Sequence, residues 1–113
     1  MTPEDVLTKA AETITRRGKA TGHYEDPVTR EVCAYGAMTL AATEGKTSCY
    51  SEFDFFLTPR PALLVQQAAE LLAKAVPSEF VDEPFAVITW YNDQESTTAE
   101  DIALAMKKAA HHG

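Results

Sequence analysis

Cys33 and His23 are the residues whose types could do covalent chemistry here. A thiolate is a nucleophile, and thiol pKa falls at helix N-termini and beside histidine. His23 sits in the segment before Cys33 and can fold back toward it, while Asn92 or Asp93 could orient the imidazole. Cys33, His23 and Asn92 would then make a thiol-hydrolase or transferase arrangement. The competing reading is packing. A cysteine among Ala34, Gly36 and Ala37 behaves as a small apolar side chain, and no nucleophile signature surrounds it. The sequence favours packing.

Metal chemistry has less to stand on. His23, Cys33, Cys49, His111 and His112 lack the short paired spacing of structural zinc ligands. The acidic residues do not follow the glycine-centred calcium-loop pattern. Gly-rich phosphate loops and nucleophile elbows are missing as well. The expectation is no metal and no cofactor.

Charge is distributed unevenly. The chain has a net charge of -7, with 10 basic and 17 acidic residues. No Lys or Arg occurs over residues 75–106, which hold Glu79, Asp82, Glu83, Asp93, Glu95, Glu100 and Asp101. The remaining sequence is balanced. A field of that sign repels phosphate backbones, so direct nucleic-acid binding is not expected. A protein partner with a basic surface, or a cation, suits it better, and the simplest reading of the segment is a solvated acidic surface that helps solubility. Trp90 and Tyr91 beside Asp93 are residue types that anchor protein contacts, although the sequence favours Trp90 filling the core while Asn92 or Asp93 caps the turn. The residues assigned to binding are Glu79, Asp82, Glu83, Trp90, Tyr91, Asp93 and Glu95.

The elements that must position these groups read as helices. Residues 3–17 carry Val6, Leu7, Ala10, Ala11 and Ile14 on one face, with Thr2 as cap, Pro3 in the first turn and Gly18 as stop. A second helix is expected over 27–44, capped by Asp26, which would set Cys33 about two turns inside it. Gly36 is costly in a helix interior, by about 1 kcal/mol relative to alanine. Its presence points to close approach of another backbone. Tyr50, Phe53, Phe55 and Phe56 follow, with Ser51 and Asp54 spaced to cap a short helix. The apolar residues of 61–76 wrap most of a helical cylinder, which marks a central helix.

Residues 85–91 are ambiguous. Their β-branched and aromatic content suits a strand, but with no second strand to pair against, a short buried helix fits at least as well, and the sequence leaves the two open. A last helix opens with Thr97 and Glu100 at capping-box spacing and buries Ile102, Ala105, Met106 and Ala109. Lys107, Lys108, His111 and His112 lie at its negative end. The fold class is therefore mainly α: a compact single-domain bundle over 1–113, with four longer helices plus one or two short ones. No apolar run reaches the roughly 20 residues of a membrane span. The N-terminus does not resemble a signal peptide, so a cytoplasmic setting with Cys33 and Cys49 reduced is expected.

The Cys33-Ala34-Tyr35-Gly36-Ala37 run, Trp90-Tyr91-Asn92-Asp93 and Thr98-Ala99-Glu100-Asp101-Ile102 together resemble an uncharacterised family of small actinobacterial and actinophage proteins. Members carry a Cys-Ala-x-Gly-Ala helix and a Trp-Asn-Asp turn before a Thr-capped helix. Here Tyr91 separates the Trp from the Asn. The resemblance implies a helical fold and a phage or mobile-element setting, and no reaction. The reading that follows is a small acidic accessory protein acting by protein–protein binding, with a nucleic-acid mimic as a special case. The alternative is a cysteine hydrolase or transferase centred on Cys33.

Overall fold

In a computed structural model, the structure describes residues 1–48, 59–76 and 83–111. Within them lie five helices: α1 (Pro3–Arg17), α2 (Ala34–Ala42), α3 (Pro59–Ala75), α4 (Pro84–Asp93) and α5 (Ala99–Ala110). The domain is mainly α, as the periodicity predicts.

Helix α1 follows the local code closely. Thr2 Oγ1 accepts from the Asp5 amide at 3.1 Å, and the Asp5 carboxylate accepts from the Thr2 amide at 3.0 Å. This reciprocal cap satisfies donors that the first turn leaves open. Gly18 ends the helix at φ 94°, a conformation costly for any residue with a Cβ. The five expected residues of the apolar face are fully buried.

Helix α2 is much shorter than the pattern suggests. Residues 27–33 belong to a loop, and Asp26 caps a turn instead of a helix. Its Oδ1 accepts from the Val28 and Thr29 amides at 2.8 and 3.0 Å, offering the backbone an alternative to helix. Arg30 then adopts φ 67°, and Val32 runs extended between Gly18 and Ala20. These ladder bonds (Val32 N–H to Gly18 O at 3.1 Å, Ala20 N–H to Val32 O at 3.0 Å) hold residues 18–32 as a folded-back loop.

That loop explains Gly36. A Cβ at this position would run into the carbonyl oxygen of Tyr24, which crosses the first turn of α2 and accepts from the Cys33 amide at 3.2 Å. Close backbone approach, the expected reason for this glycine, is what the structure contains.

Helix α3 packs against each of the other four described helices, so its central placement holds. It is not buried all round: Val65, Ala68 and Leu72 are interior, Leu71 is half-buried, and Leu63 faces outward. It begins at Pro59, two residues before the expected start, and ends one earlier. The ambiguous stretch is helical. Pro84 opens α4, and Val87 and Ile88 enter the core. Its backbone groups are satisfied within the helix, which a lone strand could not arrange.

Helix α5 starts one residue later than predicted. Thr98 and Asp101 form the reciprocal cap at 3.1 and 3.0 Å. Thr97 is buried, and its carbonyl instead receives the Lys19 ammonium, which also donates to Gln94 O at 2.8 Å. Lys19 thereby ties the loop after α1 to the α4–α5 turn. The proposed short helix at Ser51–Asp54 lies outside the described residues. None of the described helices is long and apolar enough to cross a membrane.

Candidate functional site

The folded-back loop, the start of α2 and one face of α4 enclose a cleft of about 230 Å³. Each element contributes for a local reason. The loop brings Gly22, His23 and Tyr24 over the α2 N-terminus because Val32 pairs with its base. The first turn of α2 presents Cys33 and Tyr35. Helix α4 presents Phe85, Ile88, Thr89, Asn92 and Asp93, which share a face at helical spacing.

One wall is aromatic. The Tyr24 and Tyr35 rings are 5.7 Å apart at 50°, and Tyr35 meets Phe85 edge-on at 5.0 Å and 85°. Such tilted and edge-to-face pairs are attractive beyond their buried area. Tyr24 and Phe85 remain substantially exposed at the rim.

The structure brings His23, Cys33, Asn92 and Asp93 to this one cleft, yet it does not join them as a triad. Cys33 is the N-cap of α2, not a residue two turns inside a helix. Its Sγ accepts from the Gly36 amide at 3.3 Å. Burial pushes the thiol pKa up, and the Asp93 carboxylate pushes the same way. The amides of Gly36 and Tyr35 oppose the rise without reversing it. Thiol, not thiolate, is therefore the resting form at neutral pH. His23 is exposed, and among the described residues no hydrogen bond joins it to Cys33. It lies close enough to Asp26 to reinforce the lowered carboxyl pKa there, whose main causes are the Thr29 and Val28 amides.

Asn92 is a clamp. Only 2% exposed, its Oδ1 accepts from the Ala34 amide at 2.9 Å, and its Nδ2 donates to Ala20 O at 2.9 Å and Asp93 Oδ1 at 3.0 Å. It joins α4 to α2 and to the loop. Its amide hydrogens go to Ala20 and Asp93 and its oxygen is turned to the Ala34 amide, and among the described residues no hydrogen bond joins it to His23.

The pattern that defines one protein family matches residues 1–112. The chain belongs to that family, DUF6197, a family of unknown function. Neither a curated protein nor a solved structure matches the chain.

The family's description carries no reaction, so the remaining site residues are placed by geometry alone. Trp90 does not fill the core: it is 38% exposed on α4. Val87, Ile88 and Asn92 are the buried residues of α4, and helical spacing sets Trp90 on the side away from them. Tyr91 is half-buried, its phenol pKa raised by burial and then by Asp101. Glu83, Asp93 and Glu95 are exposed at the two ends of α4. Glu79 and Asp82 lie outside the described residues, as do Cys49 and His112. Among the described residues, no group of three or more His, Cys, Asp or Glu could hold a metal ion.

The sequence reasoning missed Tyr24, Tyr35 and Phe85 as site residues. They are far apart in the chain, and aromatic type alone does not separate a cleft wall from core. The available signal was Gly36, which announced that some backbone passes over the start of α2.

Proposed function

We propose that this protein acts by binding a protein partner through the face built on α4, and not by covalent catalysis. The carrying observation is the exposure of Trp90 on the outer side of α4 and of Phe85 on its cleft side, with Glu83 at the N-cap, Asp93 at the last position and Glu95 just beyond. Partly exposed aromatics rimmed by charge are the usual anchors of protein contacts. Acidic groups around them favour a basic partner and speed its approach in a salt-dependent way. The raised thiol pKa of Cys33 and the use of Asn92 as a clamp on Ala34 and Ala20 lend no support to the hydrolase alternative.

The reading extends to a cytoplasmic accessory role in a phage or mobile-element setting. It is supported by the resemblance of the Cys-Ala-x-Gly-Ala and Thr-Ala-Glu-Asp runs to proteins of such genomes. A partner that normally grips nucleic acid would suit the acidic segment.

Site-specific photo-crosslinking in the host tests it. A photoreactive residue at Trp90 should capture one defined partner. The same residue at Leu104, exposed at 59% on α5, should not. Identical capture from both positions would refute the assignment of the α4 face.

A further inference from the structure

We infer that the cleft beside α4 receives one arginine side chain of the partner, stacked on the aromatic wall with its charge met by Asp93. The inference rests on the protein-binding reading and names what that surface recognises.

Three observations carry it. The first is size. Clefts that accept whole small molecules run to about 300–1,000 Å³, and this one is about 230 Å³. It suits a single side chain better than a nucleotide or a cofactor. The second is the wall. Tyr35 is in ring contact with both Tyr24 and Phe85, which gathers rings from three separate parts of the chain at the cleft. Aromatic faces attract cations, and arginine most often.

The third is the position of charge. Asp93 lines the same cleft, and its carboxylate acts on the Cys33 thiol across it. One of its oxygens, Oδ1, accepts from Asn92, which holds the carboxylate in place. The carboxylate keeps acceptor sites beyond that bond, because each oxygen has two lone pairs. Thr89 lines the cleft as well.

Arginine fits this set better than lysine. Guanidinium is planar, weakly hydrated and carries five donors, so it stacks on a ring while donating at its edge. An ammonium group is strongly hydrated and would have to shed water to enter a half-open aromatic cleft. Glu83 and Glu95, at the two ends of α4, add a field of the same sign.

The test is an NMR titration of the full chain with N-acetyl-arginine methylamide, with its lysine counterpart, and with the neutral citrulline isostere. The arginine derivative should shift Tyr24, Tyr35, Phe85 and Asp93 saturably, and it should bind about tenfold tighter than citrulline. It should also slow alkylation of Cys33, which shares the cleft. Asp93→Asn should bring arginine affinity down to the citrulline level. Phe85→Ala, an exposed position, should weaken arginine binding without unfolding the chain. Equal binding of arginine and citrulline, equal or tighter binding of lysine, shifts confined to residues outside the cleft, or no saturable shift would each overturn the inference. A partner captured at Trp90 while the cleft refuses arginine would leave the protein-binding reading standing and remove this one. Loss of capture at Trp90 would remove the protein-binding reading itself.

Discussion

Replacing Asn92 should reveal how much of the site depends on one buried amide. The side chain spans from α4 to the Ala34 amide and the Ala20 carbonyl, both in buried residues. Asn92→Ala removes both partners at once. Leaving a buried backbone donor or acceptor unsatisfied costs about 1–3 kcal/mol each. Alanine returns up to about 0.7 kcal/mol of helix propensity. The net expectation is a loss of about 1–5 kcal/mol, large against a total stability of about 5–15 kcal/mol for a domain. Urea denaturation should show a lower midpoint at an unchanged slope.

Asn92→Asp sharpens the test. It keeps an acceptor for the Ala34 amide but sets a carboxylate against the Ala20 carbonyl and the Asp93 carboxylate. The new group should have a folded-state pKa above its unfolded value of about 3.9. Its stabilising protonated form is then fully present below the unfolded pKa and lost as pH rises through the folded one. The deficit relative to wild type should therefore be largest at neutral pH and shrink in acid. If Asn92→Ala costs under about 1 kcal/mol, within the range of ordinary surface changes, the clamp does not hold the loop. The cleft would then owe its shape to other contacts than the Asn92 bonds.

Gly36→Ala should destabilise, although the same change in an unobstructed helix interior stabilises by about 0.5–1 kcal/mol. The added methyl meets the Tyr24 carbonyl, so the loop must shift, and a rise in the urea midpoint would show that no such crossing exists. Cys33 should alkylate slowly at neutral pH, with the rate climbing only above the ordinary thiol value of about 8.5. Because folding raises that pKa, stability should also decline as pH passes from the unfolded thiol value toward the folded one. Rapid alkylation already saturated at pH 7 would contradict the burial argument.

How much of this was legible beforehand depended on the range of the interaction. Helix α1 could be read almost to the residue, because Thr2, Pro3, Gly18 and the buried face act within a turn or two of themselves. Residues 85–91 stayed open between strand and helix, because their residue types suit a strand while a strand without a partner cannot satisfy its amides. The segment 27–32 could not be read, because the Asp26 turn and a helix compete closely in local terms. What tipped the balance was the pairing of Val32 with Gly18 and Ala20 across the fold.

The same holds for the site. That Gly36 needed room was written in the sequence; that a Tyr24 carbonyl fills it was not. Cys33, His23 and Asn92 could be named as polar groups worth placing, but their roles followed from distance. Asn92 reaches partners 58 and 72 residues away, and Tyr24, Tyr35 and Phe85 come together only when the loop closes over α2. Local propensity and amphipathic period set the helices. Long-range backbone pairing and one buried amide decided which side chains line the cleft, because those bonds form only once the chain is folded.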